Sequence, residues 1–243
     1  MSSRGKLLAV EGIDGAGKHT QVELLARDLD RRGIDSIHVS FPRYQSFFGR
    51  SVAQYLTGAF GQLNQVDPHF SALLYAGDRL EAKRELESAL AAGRDVLADR
   101  YIGSNLAHQG ARVGQARREE FLNWVRQLEY EIFGLPREDL VIYLRIPVEV
   151  AAERMASRAQ KLSRDIQEGD RRHLEEAAAV YDSLAKSEGW AVVEGFDPGA
   201  KHPRPAGEIH QEIVALWESR LGVDKRATAP KRPGGEPGEA NRR

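Results

Sequence analysis

The chain has 243 residues, 41% hydrophobic and 29% charged, which supplies a sizeable core for one large domain or two small ones. Lys and Arg number 35 against 36 Asp and Glu, so a net charge of −1 gives no global basic field, and no nucleic-acid partner is expected. The absence of cysteine excludes disulfides, thiolate zinc sites and a cysteine nucleophile, and suits a reducing cytoplasm.

In chain order, "KLLAVEG" (6–12) reads as a strand, entered directly without the apolar region of a signal peptide. No apolar run approaches the ~18 residues of a membrane span, so a cytoplasmic protein away from membranes is expected. The strand leads into "GIDGAGKHT" (12–20) and then a helix-like stretch to Gly33. "DSIHVSFP" (35–42) is a second strand, "RDVLADRY" (94–101) a third, "DLVIYLRIP" (139–147) a fourth and "WAVVEG" (190–195) a fifth. Helical periodicity predicts helices over 67–91, 117–133, 147–162, 170–187 and 206–221. In the first of these, Phe70, Leu73, Leu74, Gly77 and Leu80 share one apolar face. Strands alternating with helices predict an α/β fold, a parallel sheet covered on both faces, as one domain over 1–222. The remainder, 223–243, is rich in Pro, Gly and charge and predicts a disordered tail.

The glycine-rich stretch nearly matches the phosphate-binding form G-x-x-x-x-G-K-[ST], through Gly12, Gly17 and Lys18. His19 stands where the magnesium-binding hydroxyl belongs, with Thr20 one place later. Because the loop follows a strand and opens a helix, its N–H groups and the helix dipole converge on one point, where Lys18 adds a point charge. In such sheets the ligand sits beyond the carboxyl ends of the strands. Asp14, Arg43, Asp99, Arg100 and Glu194 lie at or just beyond those ends and are expected to converge on one crevice. Tyr75 and Arg79, four apart on a helix, project a flat ring and a planar donor fork from the same face, a pairing that suits a base.

"FPRY" (41–44), "YAGDR" (75–79), "DRYIGSN" (99–105) and an arginine-bearing segment around 154–168 follow the loop in order, and the whole of 5–220 resembles the thymidylate kinase family. The resemblance implies a single P-loop domain with a five-stranded parallel sheet flanked by helices, a small lid at about 154–168, and a homodimer. It implies ATP as phosphoryl donor, Mg2+, and dTMP as acceptor. The ATP site would comprise Gly12, Ile13, Asp14, Gly15, Ala16, Gly17, Lys18, His19 and Thr20, with Arg158 closing from the lid and Arg164 the alternative. The dTMP site would comprise Asp14, Phe41, Arg43, Tyr75, Arg79, Arg100, Ser104, Asn105 and His108. Arg43 and Arg100 would reach the acceptor phosphate, Tyr75 would stack on the base, Arg79 would donate to a pyrimidine carbonyl, and Ser104 and Asn105 would face the thymine edge. Asp14 and Asp99 would hold the metal, and Asp165 and Glu168 resemble acidic positions at the end of the lid. His108 departs from the Tyr or Phe common at this place, where a ribose 2′-hydroxyl would project.

The chemistry needs no general base, because a phosphate monoester with a second pKa near 6 is mostly a dianionic nucleophile at neutral pH. Alignment and charge neutralisation by Lys18, Arg43, Arg100 and Arg158 would carry it. Two other readings stay open: a kinase of another nucleotide or nucleoside, and a nucleotide-binding module that His19 has left without turnover.

Overall fold

The computed structural model describes residues 4–62, 65–159 and 171–222. All five expected strands form: β1 (Leu7–Glu11), β2 (Ser36–Ser40), β3 (Asp95–Asp99), β4 (Leu140–Arg145) and β5 (Ala191–Glu194). They make one sheet in the order β2-β3-β1-β4-β5, with every neighbouring pair parallel. β1 and β3 are buried along their whole length, as central strands must be when helices cover both faces. Their runs therefore read as continuous apolar segments and not as alternation.

The helices are α1 (Lys18–Arg31), α2 (Phe47–Leu56), α3 (Pro68–Ala91), α4 (Ile102–Gly110), α5 (Gln115–Arg126), α6 (Val148–Ala159), α7 (Arg171–Glu188) and α8 (Ala206–Leu221). Asp67 caps α3 by accepting from the His69 N–H, with Pro68 at the first helical position. A two-stranded hairpin, β6 (Phe196–Asp197) with β7 (His202–Pro203), precedes α8. Among the described residues, no helix is long and apolar enough to cross a membrane.

Three expectations change. The helix predicted over 117–133 is α5 followed by a π-helical turn, Gln127–Ile132, which turns Leu128 and Glu129 inward. Helices α2 and α4 were not anticipated; both follow directly on motifs whose glycines, prolines and polar residues read as loop. On α3, the apolar face is mostly outside: Phe70, Leu73 and Leu80 are about two-fifths exposed, while Leu74 and Gly77 are buried. The inward face of α3 carries small and polar residues over its first half, among them Ser71, Ala72, Ala76, Asp78 and Arg79, with Leu86 and Leu90 following.

Register sets up the site. Asp99 lies opposite both Val10 of β1 and Ser40 of β2, so the carboxyl ends of three neighbouring strands finish in one row. The segments after them, 12–17, 41–46 and 100–105, must share the same rim of the sheet.

Candidate active site

After β1 the chain turns through Gly12 to Gly17 into α1. Gly12 (φ 144°) and Gly15 (φ 81°) hold left-handed conformations, and a Cβ on either would stand 2.6 Å from a carbonyl oxygen, of Leu144 and Ala151 respectively. The loop is thus packed between β4 and α6 with no room for side chains at these places. Lys18 is buried and folds back, donating from Nζ to the Ile13 carbonyl at 2.8 Å. Ile13 and Ala16 are buried beneath the loop, while Thr20 is exposed. Arg154 of α6 donates to the carbonyls of Gly15 and Ala16 at 3.2 and 3.3 Å. His19 stands against two carboxylates, Asp99 at 3.3 Å and Glu23 at 3.2 Å. Its ring therefore takes up Asp99, which also accepts from Ser40 at 3.4 Å.

Burial, with the nearby Arg100 charge, lowers the Lys18 pKa to about 8, against the opposing pull of Asp14 and Asp99. Phosphate oxygens bound beside this ammonium raise its pKa in the complex. The charge-dependent part of nucleotide affinity is then complete below pH 8 and falls about tenfold per unit above it. Calorimetric titration with ATP between about pH 7.5 and 9.5 should show that slope. Lys18→Arg, charged throughout, should remove it.

The turn after β3 is held from beneath by a carboxylate in β1. Glu11, fully buried, accepts from the Tyr101 N–H at 2.7 Å, Ser104 Oγ at 2.6 Å and the Tyr181 hydroxyl at 3.1 Å. Arg100 sits above it with φ 69°, an uncommon conformation for a side-chain-bearing residue. Its guanidinium is held at both ends, by Asp14 on Nη2 and by Ser104 Oγ (3.1 Å) and His108 Nε2 (3.2 Å) on Nη1. Burial disfavours the charge of Asp14, but the positive groups around it, chiefly Arg100, outweigh that cost and hold its pKa well below the carboxylate range.

A cleft opens beside this turn. Asp14, Phe41, Tyr75, Arg79, Arg100, Ser104, Asn105 and His108 line it, and these are expected acceptor-site residues brought together. Pro42, Tyr44, Leu56 and Gln109 line it as well; the first two belong to the FPRY motif without an assigned role, and the other two lie outside the motifs. Arg79 is fully buried and paired with Glu129 of the π-helical turn through Nε and Nη2, at 2.5 and 2.7 Å. Only Nη1 is left out of that pair. Asn105 Nδ2 donates to the Ala72 carbonyl and to Glu129, which turns Oδ1 the other way; among the described residues this buried oxygen has no partner.

Several expectations are corrected. Arg43 does not line the cleft; it lies on α3, its Nη1 3.0 Å from Glu85 and its backbone N–H donating to Asp78 at 2.7 Å. Ser104, expected to face the thymine edge, turns its hydroxyl to Glu11, to which it donates, and to Arg100, from which it accepts. Glu194 does not join the crevice, because it ends edge strand β5 and pairs with Arg145. Arg158 falls in α6; its side chain and Lys161, Arg164, Asp165 and Glu168 lie outside the described residues, as does the tail from 223.

Among the described residues, no group of three or more His, Cys, Asp or Glu converges on a metal position. Asp99 and Asp14 are oxygen donors of the kind a hard cation prefers, and each is already engaged. A divalent ion here would draw most of its ligands from a nucleotide and water. What the arrangement offers is a phosphate cradle, two arginines and a lysine, and a half-buried ring beside an amide oxygen without a partner.

A sequence profile described as Thymidylate kinase matches residues 10–201. The thymidylate kinase of Mycobacterium tuberculosis is 36% identical over 203 residues, covering 79% of this chain and 94% of that protein. A probable thymidylate kinase of Pyrobaculum calidifontis is 32% identical over 221 residues, covering 90% and 99%. In fold, the chain is similar to the solved structure of thymidylate kinase from Candida albicans, with a TM-score of 0.72 and 19% identity over 92% of this chain and 96% of that one.

Proposed function

The chain belongs to the thymidylate kinase family, and we propose that the cleft beside the phosphate loop, through Tyr75, Arg79 and Asn105, chooses the base. The enzyme transfers the γ-phosphoryl group of ATP to dTMP, giving dTDP and ADP. The observation that carries the base assignment is the unpartnered, buried Asn105 Oδ1 in a cleft walled by Tyr75. A pyrimidine N3–H would satisfy that oxygen, while Arg79 Nη1 meets an adjacent carbonyl and Tyr75 stacks on the ring.

In this reading Arg100 aligns the acceptor phosphate, Lys18 meets the transferring phosphoryl group, and Arg154, already on the loop, takes the place expected of Arg158. Arg43 is left out. Mg2+, when bound with ATP, neutralises phosphate charge; Asp99 and Asp14 would face it, with His19 steadying Asp99.

A coupled assay of ADP release with dTMP, dUMP, UMP, dCMP, AMP and thymidine tests the reading. dTMP should be fastest, dUMP slower and AMP essentially inert; equal rates on AMP and dTMP would overturn it. Tyr75→Ala should raise KM for dTMP about tenfold and leave KM for ATP nearly unchanged, since stacking on a base is worth ~1–3 kcal/mol.

The same proposal includes a homodimer. Phe70, Leu73 and Leu80 form a stripe along one side of α3, and Phe60 packs edge-on to Phe70 at 5.5 Å, so the apolar periodicity of this helix faces out. Light scattering should give twice the chain mass, and Leu73→Glu should shift it toward one chain. An unaltered protein that is monomeric at micromolar concentration would remove the assignment.

A further inference from the structure

His173 lies in the first turn of α7, apart from every motif that pointed to the site, yet it is buried at 6% exposure. Its Nε2 is 3.4 Å from Nδ1 of His108, and the two rings are tilted by 33°. The other nitrogen of His108, Nε2, faces Nη1 of Arg100 at 3.2 Å.

Proton counting fixes the direction of this chain. A guanidinium has only donors, so His108 Nε2 must accept from Arg100. A neutral imidazole carries one proton, which therefore sits on Nδ1 and is donated to His173. His173 Nε2 is then an acceptor, and its own proton sits on Nδ1. A cationic His108 would set a second donor against Arg100, and burial, with the charge of Arg100, keeps that ring neutral despite the attraction of Asp14. The reversed arrangement, with the His108 proton on Nε2, would turn a donor against a donor and leave Arg100 held by Asp14, Ser104 and a long bond of 3.5 Å to the Gly12 carbonyl.

We propose that His173 is a positioning residue for Arg100: by accepting from His108 Nδ1, it selects the tautomer whose Nε2 holds the Arg100 guanidinium in the acceptor cleft. The role in turnover rests on the assignment of Arg100 to the acceptor phosphate; the tautomers do not. An arginine that aligns a nucleophile acts through its geometry, and small displacements of such groups are costly.

Long-range 1H–15N correlation on the unaltered protein with labelled histidines, without substrate, reads both rings directly. His108 and His173 should both be neutral with the proton on Nδ1. An Nε2–H or cationic His108 at neutral pH overturns the proposal, whatever the substrate proves to be. The kinetic arm compares His173→Phe, which keeps a ring but no acceptor, with His173→Gln, whose amide oxygen can accept from His108. His173→Phe should lower kcat with dTMP about tenfold and leave KM for ATP unchanged, and His173→Gln should recover most of the loss. In an Arg100→Ala background, His173→Phe should add nothing. Equal losses in the two variants, or an undiminished loss without Arg100, would make His173 merely structural. If His173→Phe fails to fold, the tautomer measurement and His173→Gln still decide.

Discussion

Lys18→Ala is expected to lower kcat about 100-fold or more, with a circular dichroism spectrum like that of the parent. The loop's backbone conformation is fixed by Gly12 and Gly15 packed against the carbonyls of Leu144 and Ala151, so removing the lysine leaves the cradle standing. What is lost is a cation. In the free protein that cation is turned onto the Ile13 carbonyl, and burial lowers its pKa to about 8, so it is poised to exchange one oxygen for a better one. A charge that acts mainly on phosphoryl oxygens in the transition state is worth several kcal/mol, and 100-fold corresponds to ~2.7 kcal/mol. Near-normal turnover in Lys18→Ala would take the loop out of the mechanism. A large loss accompanied by a collapsed spectrum would make the lysine a folding residue instead.

Glu129→Ala should be the most destabilising single change near the cleft, at ~3–5 kcal/mol. It leaves Arg79 buried at 1% exposure without its carboxylate, and it also removes one of the two acceptors of Asn105 Nδ2. Neither group can reach water without opening the packing of α3 against the π-helical turn. Chemical denaturation measures the loss directly, and a chain of this size should melt on the order of 10 °C lower. Replacing both partners with apolar residues, Arg79→Met with Glu129→Leu, should recover much of the stability, because the penalty comes from the unpaired charge. That double variant should still bind dTMP poorly. A Glu129→Ala protein as stable as the parent would mean that Arg79 finds water or another anion, and the base pocket would then be wetter than described.

How much of this could be read beforehand differs from residue to residue. The sheet was legible because central parallel strands are apolar throughout. The loop was legible because spaced glycines, a lysine and a following helix together suit a phosphate and little else. Arg100, Asn105 and Tyr75 were placed by motif, and all three line the cleft. Arg43 stands outside the cleft lining because a residue just beyond a strand can turn to either side, and here it pairs with the carboxylates of Asp78 and Glu85 on α3. Ser104 also lines the cleft, but its bond to Glu11 was not legible, because that partner lies 93 residues earlier inside a strand and nothing local marks a strand glutamate as buried. Glu129 and His173 were invisible alike. One sits on a turn of π-helix that periodicity cannot distinguish from the α-helix before it, and the other has meaning only through a ring on a different helix. On α3 the periodicity was real, but it reports an apolar stripe without saying whether the stripe faces this chain's core or a second copy.

Glu11 also dictates when the site can first exist in the life of the molecule. It leaves the ribosome before the groups that satisfy it, which follow 90, 93 and 170 residues later. At the usual pace of ~5–20 residues per second, Tyr181 is made on the order of ten seconds or more after Glu11, and only then is the third bond available. Until Tyr101 and Ser104 are made the first strand carries a buried-type carboxylate with none of these partners, and until Tyr181 is made it has two of the three. The support beneath the turn after β3 is therefore completed late, and fragments that stop short of Tyr181 should lack its third bond.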